Sequence, residues 1–445
     1  VTVTGQTTVA TVNITTGTYN YFDDFRPTTC NITDNATFNQ TSTGGQFGGR
    51  VIITASKTPT FNAVGRLHSS LDIQSGEQGN STFNLDLSEP QTGPARHVFF
   101  HNLELDSEGT ENNTLTLAGA ITCTGNLTIT DGIIDTSSSD YALTVTGQVS
   151  VTGTLTCNES TVNIGSLYIT SNGVVNATNQ TTTINKETTV SAAGFAVYNE
   201  GTFHHNNGLV VIGTDTNTIV YGMEGDDTSG ANSNAFYRVQ VELDNAAYFC
   251  KFRPQAGTVA VKIANDLTVA EGIVSQETAT HSFEVDVDVS IEAGGVLGRT
   301  DITGANTFGS LTIASSGEYI ATSGTTTITD ESSGGYALEN QGTFTHNFGK
   351  VLIDFDTPNK NDNTEIKCNE FYDFEIKMNG ASYSTMFRDL SGDTVTFLGD
   401  LTITKGKFDD NVNSDTYIIH GSTILESEGS FGSATNWHTG NITHH

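Results

Sequence analysis

Positive charge is nearly missing from this chain. Its 445 residues hold 18 Lys and Arg against 50 Asp and Glu, a formal net charge of −32. A field of that sign repels phosphate, which excludes nucleic acid as a main partner and disfavours anionic membrane surfaces. Charged residues of both signs make up only 15% of the chain, so its polarity rests on Thr, Asn, Ser and Gly. Hydrophobic residues are also few, at 35%, which suits a thin, elongated core better than the deep interior of a globular enzyme. No apolar run is long enough to cross a bilayer as a helix. No leader peptide precedes Val1, which points to a removed leader or a fragment.

Proline is scarce as well. Six prolines in the whole chain leave no Pro-rich linker of the kind that separates tandem domains. The five cysteines, Cys30, Cys123, Cys157, Cys250 and Cys368, include no CxxC pair, which argues against a zinc site. Their odd number, in a secreted chain, predicts a free thiol or an intermolecular disulfide; the other reading is five small buried hydrophobes. No stretch carries a helical period as strong as the strand alternation described below. Ser-His-Asp contexts, a GxSxG elbow and a phosphate-binding glycine loop are all missing.

What the chain has in abundance is repetition. "GTFHHNNGLVVI" from Gly201 returns as "GTFTHNFGKVLI" from Gly342, 141 residues on. "NLTITDGII" from Asn126 returns as "DLTVAEGIV" from Asp266 and "DLTITKGKF" from Asp400; "GSLYITSNG" from Gly165 returns as "GSLTIASSG" from Gly309. The chain therefore reads as a unit of about 140 residues. Residues 51–210 and 211–351 form two full copies, with partial copies over 1–50 and 352–445.

A shorter beat runs inside the unit. Gly125, Gly147, Gly165 and Gly201 each introduce a run in which apolar residues alternate with Thr or Ser over four to six positions. Steps of 22, 18 and 36 residues separate them, the last read as a double step. Period-two alternation broken by Gly, Asn or Asp is strand-and-turn patterning. Beats of this length with three short strands predict an all-β, elongated β-solenoid, whose coils must stack to bury their inner faces. The competing fold is a row of β-sandwich domains. In the solenoid, Leu127, Leu267 and Leu401 point inward, and Thr128, Thr268 and Thr402 outward. Gly132, Gly272 and Gly406 sit at one recurring corner that needs a positive φ or a tight bend. Phe203 and Phe344 are expected to be repeated core anchors.

Candidate sites are sparse. His204 and His205 are neighbours on a strand and face opposite sides, so they do not chelate together. His346 matches His205 in the second copy; a repeated half-buried or surface histidine is the simpler reading, and a metal ladder the other. Acidic alternation places Glu284, Asp286 and Asp288 on one strand face, and "LIDFDTPNKNDN" offers Asp354 and Asp356. Calcium takes oxygen ligands from such groups, but neither run has EF-hand spacing, and a solvated acidic face is the simpler reading. No cofactor is expected, with calcium at Asp286, Asp288, Asp354 and Asp356 as the one open option. Arg253 and Arg388 recur in "KFRP" and "MFRD", and Arg26 lies in "DFRP". An arginine multiplied with the repeat suits pairing with a carboxylate at a coil edge better than catalysis in one cleft. A polysaccharide lyase or glycosidase is thereby a minor alternative. Asn-X-Ser/Thr sequons are concentrated toward the N-terminal side, at Asn13, Asn31, Asn35, Asn39, Asn80, Asn112, Asn126, Asn158, Asn176 and Asn179. They are glycosylation candidates in a host that modifies them.

The "GTFTHN.G.V.I", "FY...I" and "DLTIT.G" phrases resemble the repeats of long extracellular β-solenoid proteins, found in surface sheaths and adhesins and in virion tail fibres. The resemblance spans nearly the whole chain and implies architecture, since the phrases carry no catalytic residue. It implies an extracellular, non-enzymatic structural protein that assembles with copies of itself into a filament, sheath or surface layer. The alternative is a tail fibre or adhesin that binds a host glycan. Strand patterning that reaches both termini favours assembly.

Overall fold

The computed structural model describes residues 114–188, 194–223, 234–255, 260–355, 363–388, 394–410 and 416–432 without interruption. It also describes shorter segments, mostly strands, between residues 2 and 107, and residues 441–444. Among the described residues there is no helix, and the regular elements are β-strands. Each pairs in parallel with a strand about one coil away in sequence, as Leu127–Ile129 does with Leu143–Val151 and Leu267–Gln276 with Ser282–Ile291. This is the expected β-solenoid. Tandem sandwiches are ruled out, because their sheets are antiparallel.

The chain divides into two compact units, Val1–Thr214 with Asp226–Asn234, and Asp215–Gly225 with Ala235–His445. In the first unit three columns of side chains line the interior, one per face of the coil. One runs Leu103, Leu127, Val149, Leu167, Val197. The second runs Ile121, Leu143, Val162, and the third Leu115, Ile134, Leu155, Val175, Phe203. All of these side chains are buried. Each is one rung of a parallel ladder with strands about 4.8 Å apart. Burying an aliphatic side chain of this size stabilises by roughly 1.5–3 kcal/mol, an amount realised only when coils stack.

The second unit follows the same rule. Val239, Leu267, Val289, Leu311 and Leu338 form one inner column, and Cys250, Val274, Leu297, Tyr319 and Phe344 another. Farther along, Phe374 stacks over Leu401 and Ile376 over Ile403. Leu127, Leu267 and Leu401 are buried, whereas Thr128, Thr268 and Thr402 are half-buried, so alternation sorts inner from outer positions in all three copies.

Two glycine families serve different ends. Gly132, Gly272 and Gly406 have φ of 81°, 97° and 101°, the left-handed region that an L side chain rarely adopts. The last two lie inside the strands Leu267–Gln276 and Leu401–Asp410, where pairing with the preceding coil slips by one residue. They turn the strand from one face of the coil to the next. A second family is needed for space. The Gly147 amide donates to the Gly125 carbonyl, and a Cβ on Gly165 would run into the Gly147 carbonyl. Gly201 does not continue that column. It stands over Gly132, Gly153 and Gly173, because Thr154, Val174 and Thr202 donate to the carbonyls of Gly132, Gly153 and Gly173 at 2.8, 2.9 and 2.9 Å. The 36-residue step is therefore a change of face, not two turns of one column. Lys186, whose amide donates to the Gly165 carbonyl at 2.7 Å, holds the place on the first column.

Phe203 and Phe344 occupy matching positions, paired with Val175 and Tyr319 of the preceding coils. Phe203 is 2% exposed, and its amide is capped by Asn234 Oδ1 at 2.9 Å. Phe344 is only half-buried, a correction to the reading of both rings as core anchors. Its ring meets Tyr319 and Phe371, each at 5.7 Å, tilted rather than enclosed. Among the described residues its strand, Thr343–Thr345, is paired along one edge alone, with Glu318–Ile320.

Candidate functional site

The repeated histidine phrase folds into a repeated turn. At His205-Asn206-Asn207-Gly208, the two asparagines have φ of 47° and 60°; at His346-Asn347-Phe348-Gly349, Asn347 and Phe348 have φ of 47° and 59°. In both copies the histidine Nδ1 accepts the backbone N–H two residues on, from Asn207 at 2.9 Å and from Phe348 at 3.0 Å. Its carbonyl accepts the glycine N–H, at 3.0 Å in both copies. A ring that accepts at Nδ1 carries its proton on Nε2. The histidine thus closes its own turn, and its recurrence has a structural cause. His205 is buried, and desolvation, with the His204 charge adding to it, holds its pKa below the usual histidine value.

The acidic residues considered for calcium lie in pairs between coils. Asp286 faces Lys262 at 3.5 Å, and Asp354 faces Lys377 at 3.2 Å. Asp288 accepts from Ser310 Oγ at 2.6 Å, while its own amide donates to Asp266. Asp356 lies outside the described residues. Among the described residues no three His, Cys, Asp or Glu side chains converge as a metal would require. The recurring arginines behave similarly. Arg253 pairs with Glu277, and Arg388 with Glu365 at 2.7 Å, each on an adjacent coil; Arg26 lies outside the described residues.

All five cysteines are buried free thiols. Burial pushes Cys30, Cys123, Cys157 and Cys368 up to about 12 and raises Cys250 as well. Cys123 and Cys250 sit on inner rungs, Cys123 beneath Val145 and Cys250 beneath Val274. An intermolecular disulfide through any of them would need the coil to open.

Several sequon amides are also engaged. Asn39 is the centre of a ladder, donating to Asn20 Oδ1 at 3.0 Å and accepting from Asn62 at 2.8 Å. Asn31 donates to Asn13, Asn158 to Asp135, Asn176 to Thr156 and Asn179 to Glu159. A glycan on any of those donor nitrogens would replace one of its two hydrogens and leave a single N–H for the bond. Asn126 is exposed and accepts through Oδ1 from Gln148 N–H. Asn35 is also exposed; Asn80 and Asn112 lie outside the described residues.

The feature not foreseen from sequence is aromatic. Phe348 is 71% exposed and left-handed in backbone, a combination costing roughly 1–2 kcal/mol for an ordinary L residue. Its ring meets Tyr372 edge-on at 5.5 Å and His346 at 5.6 Å, while His346 stacks on Tyr372 at 5.8 Å. Glu370 Oε1 lies 3.8 Å from His346 Nε2 and remains largely solvent-exposed. Below the group, Asn347 Nδ2 donates to the carbonyls of Thr300 and Ala321, at 2.9 and 3.0 Å, pinning the turn to the two preceding coils. The signal was present in the sequence as a mismatch: where the first copy has Asn207, suited to this backbone, the second has Phe348.

Comparisons with protein-family models, with characterised protein sequences and with solved structures each find no match.

Proposed function

We propose that this chain is a non-enzymatic structural protein of the cell exterior, which assembles with copies of itself into a filament, sheath or surface layer. The observation that carries this reading is the use made of the outward-facing chemistry. Asp354 with Lys377, Lys350 with Glu375, Arg388 with Glu365 and Lys367 with Glu339 all join neighbouring coils. A hydrolase or lyase holds such groups toward a substrate cleft. Here they brace the stack. A parallel ladder also accepts a further parallel strand from any chain that supplies one, which gives assembly a backbone route.

Sedimentation velocity of the native protein over a wide concentration range tests the proposal. Species growing with concentration, and unchanged by reductant because the thiols are buried, are the expected result. A monomer at every concentration and salt overturns it. The second reading, a glycan-binding adhesin or fibre, is favoured by one observation, the exposed aromatic group around Phe348.

A further inference from the structure

We infer that Phe348, backed by Tyr372 and His346, is a stacking surface for a pyranose ring of a neutral glycan, with Glu370 as hydrogen-bond acceptor for its hydroxyls. This inference rests on the adhesin reading above and supplies its site.

Three observations lead to it. The first is the cost accepted at position 348. The same turn in the first copy is built with Asn207, at φ 60° against 59° for Phe348, and both copies close with the same histidine bond. The turn thus does not need a phenylalanine, and an aromatic residue in left-handed backbone is an uncommon choice. Nor does the ring serve the core, since 71% of it faces solvent.

The second is the shape of the group. Ring centroids 5.5–5.8 Å apart are in mutual contact, so no ligand enters between them. Phe348 stands across the His346–Tyr372 stack at 84° and 76°. This arrangement is unlike a cage, in which separated rings surround an ammonium group. What it offers is an outward apolar face with its edge held rigid, suited to a flat partner with its own apolar face. The axial C–H face of a pyranose has that form.

The third is charge. Glu370 is the carboxylate beside the rings, and Lys350, the cation on the following strand, is paired with Glu375 at 2.8 Å. With Glu370 beside the rings and a net charge of −32 behind them, the surface disfavours sialylated or sulfated sugars. A neutral sugar meets no such repulsion, and its hydroxyls donate to Glu370.

The test uses the whole chain and a panel of soluble neutral hexasaccharides of gluco, manno and galacto configuration. Saturation-transfer NMR and titration are run on wild type, Phe348→Asn and Glu370→Gln. Phe348→Asn installs the residue the first copy already uses, so it should fold and unfold at a temperature no lower than wild type. Wild type is expected to bind at least one hexasaccharide, with saturation reaching sugar C–H protons. Phe348→Asn should weaken that binding about ten-fold or more, the scale of one lost aromatic contact. Glu370→Gln should weaken it less. If wild type binds and Phe348→Asn binds equally, the site assignment is overturned while the adhesin reading survives. If wild type binds no member of the panel, both fall. Binding confined to a trimethyl-lysine peptide would overturn the glycan in favour of a cation.

Discussion

Phe203 and Phe344 show how far one residue type can differ between two copies of the same phrase. Phe203 is enclosed, and its truncation to Ala should cost about 3–5 kcal/mol. Phe344 is half-buried, with Tyr319 and Phe371 as its ring contacts, so Phe344→Ala should cost roughly half as much. Thermal or denaturant unfolding of the two variants checks the difference, and equal losses would contradict the burial described for these rings. The sequence placed both residues at the right rung but could not rank them. Rank depends on what the following segment lays over each ring; in the first copy that segment brings Asn234 Oδ1 onto the Phe203 amide.

At the scale of the element, the histidine turn has a pH signature. His205 accepts a backbone N–H through Nδ1, so protonation removes the bond that closes the turn. Its pKa in the fold is lowered by desolvation, with His204 adding to the effect. The sign follows directly: the unfolded chain takes up the proton first, near pH 6.5. The turn's contribution is therefore whole above that pH and is lost as pH falls toward the lower folded value. Stability of the first unit should decline as pH falls below about 6.5 more steeply in wild type than in His205→Leu. His205→Leu itself should be less stable by about 1 kcal/mol at pH 8, the worth of one hydrogen bond. Parallel decline in both proteins would remove the turn from the account. This element was legible as a repeated phrase, and so were the strand faces and the corner glycines, because alternation and positive φ act within a few residues. The column to which Gly201 belongs was not legible. Counting steps along the chain does not reveal when the chain has passed from one face of the coil to another.

For the whole molecule, the five thiols are internal reporters distributed over both units: Cys30, Cys123 and Cys157 in the first, Cys250 and Cys368 in the second. Being buried, with pKa values raised by desolvation, they should resist a thiol reagent such as Ellman's in native buffer at pH 8 and react only as denaturant opens the coils. Mass mapping of labelled peptides would show whether the units open together. Prompt labelling of any of the five in native buffer would contradict the burial and revive a disulfide link between copies. The fold could be read at this scale from the sequence because every coil repeats one simple requirement, an apolar face met by the next coil. The aromatic group at Phe348 was carried by one mismatch alone, Phe348 where the first copy has Asn207, and a single substitution does not show which side chains gather around it.

The parallel ladders within each unit also determine how load would be carried. Strands lie across the direction in which coils stack, so their hydrogen bonds point along it, as the Thr154, Val174 and Thr202 amides do from one coil to the next. A pull in that direction stretches every bond at one boundary, on three faces together, and no boundary parts one bond at a time. A pull on a loop instead peels one strand from one face. Such a material is stiff in tension and weak to tearing from the side, and the ion pairs between coils, such as Asp354 with Lys377, lie where peeling would begin.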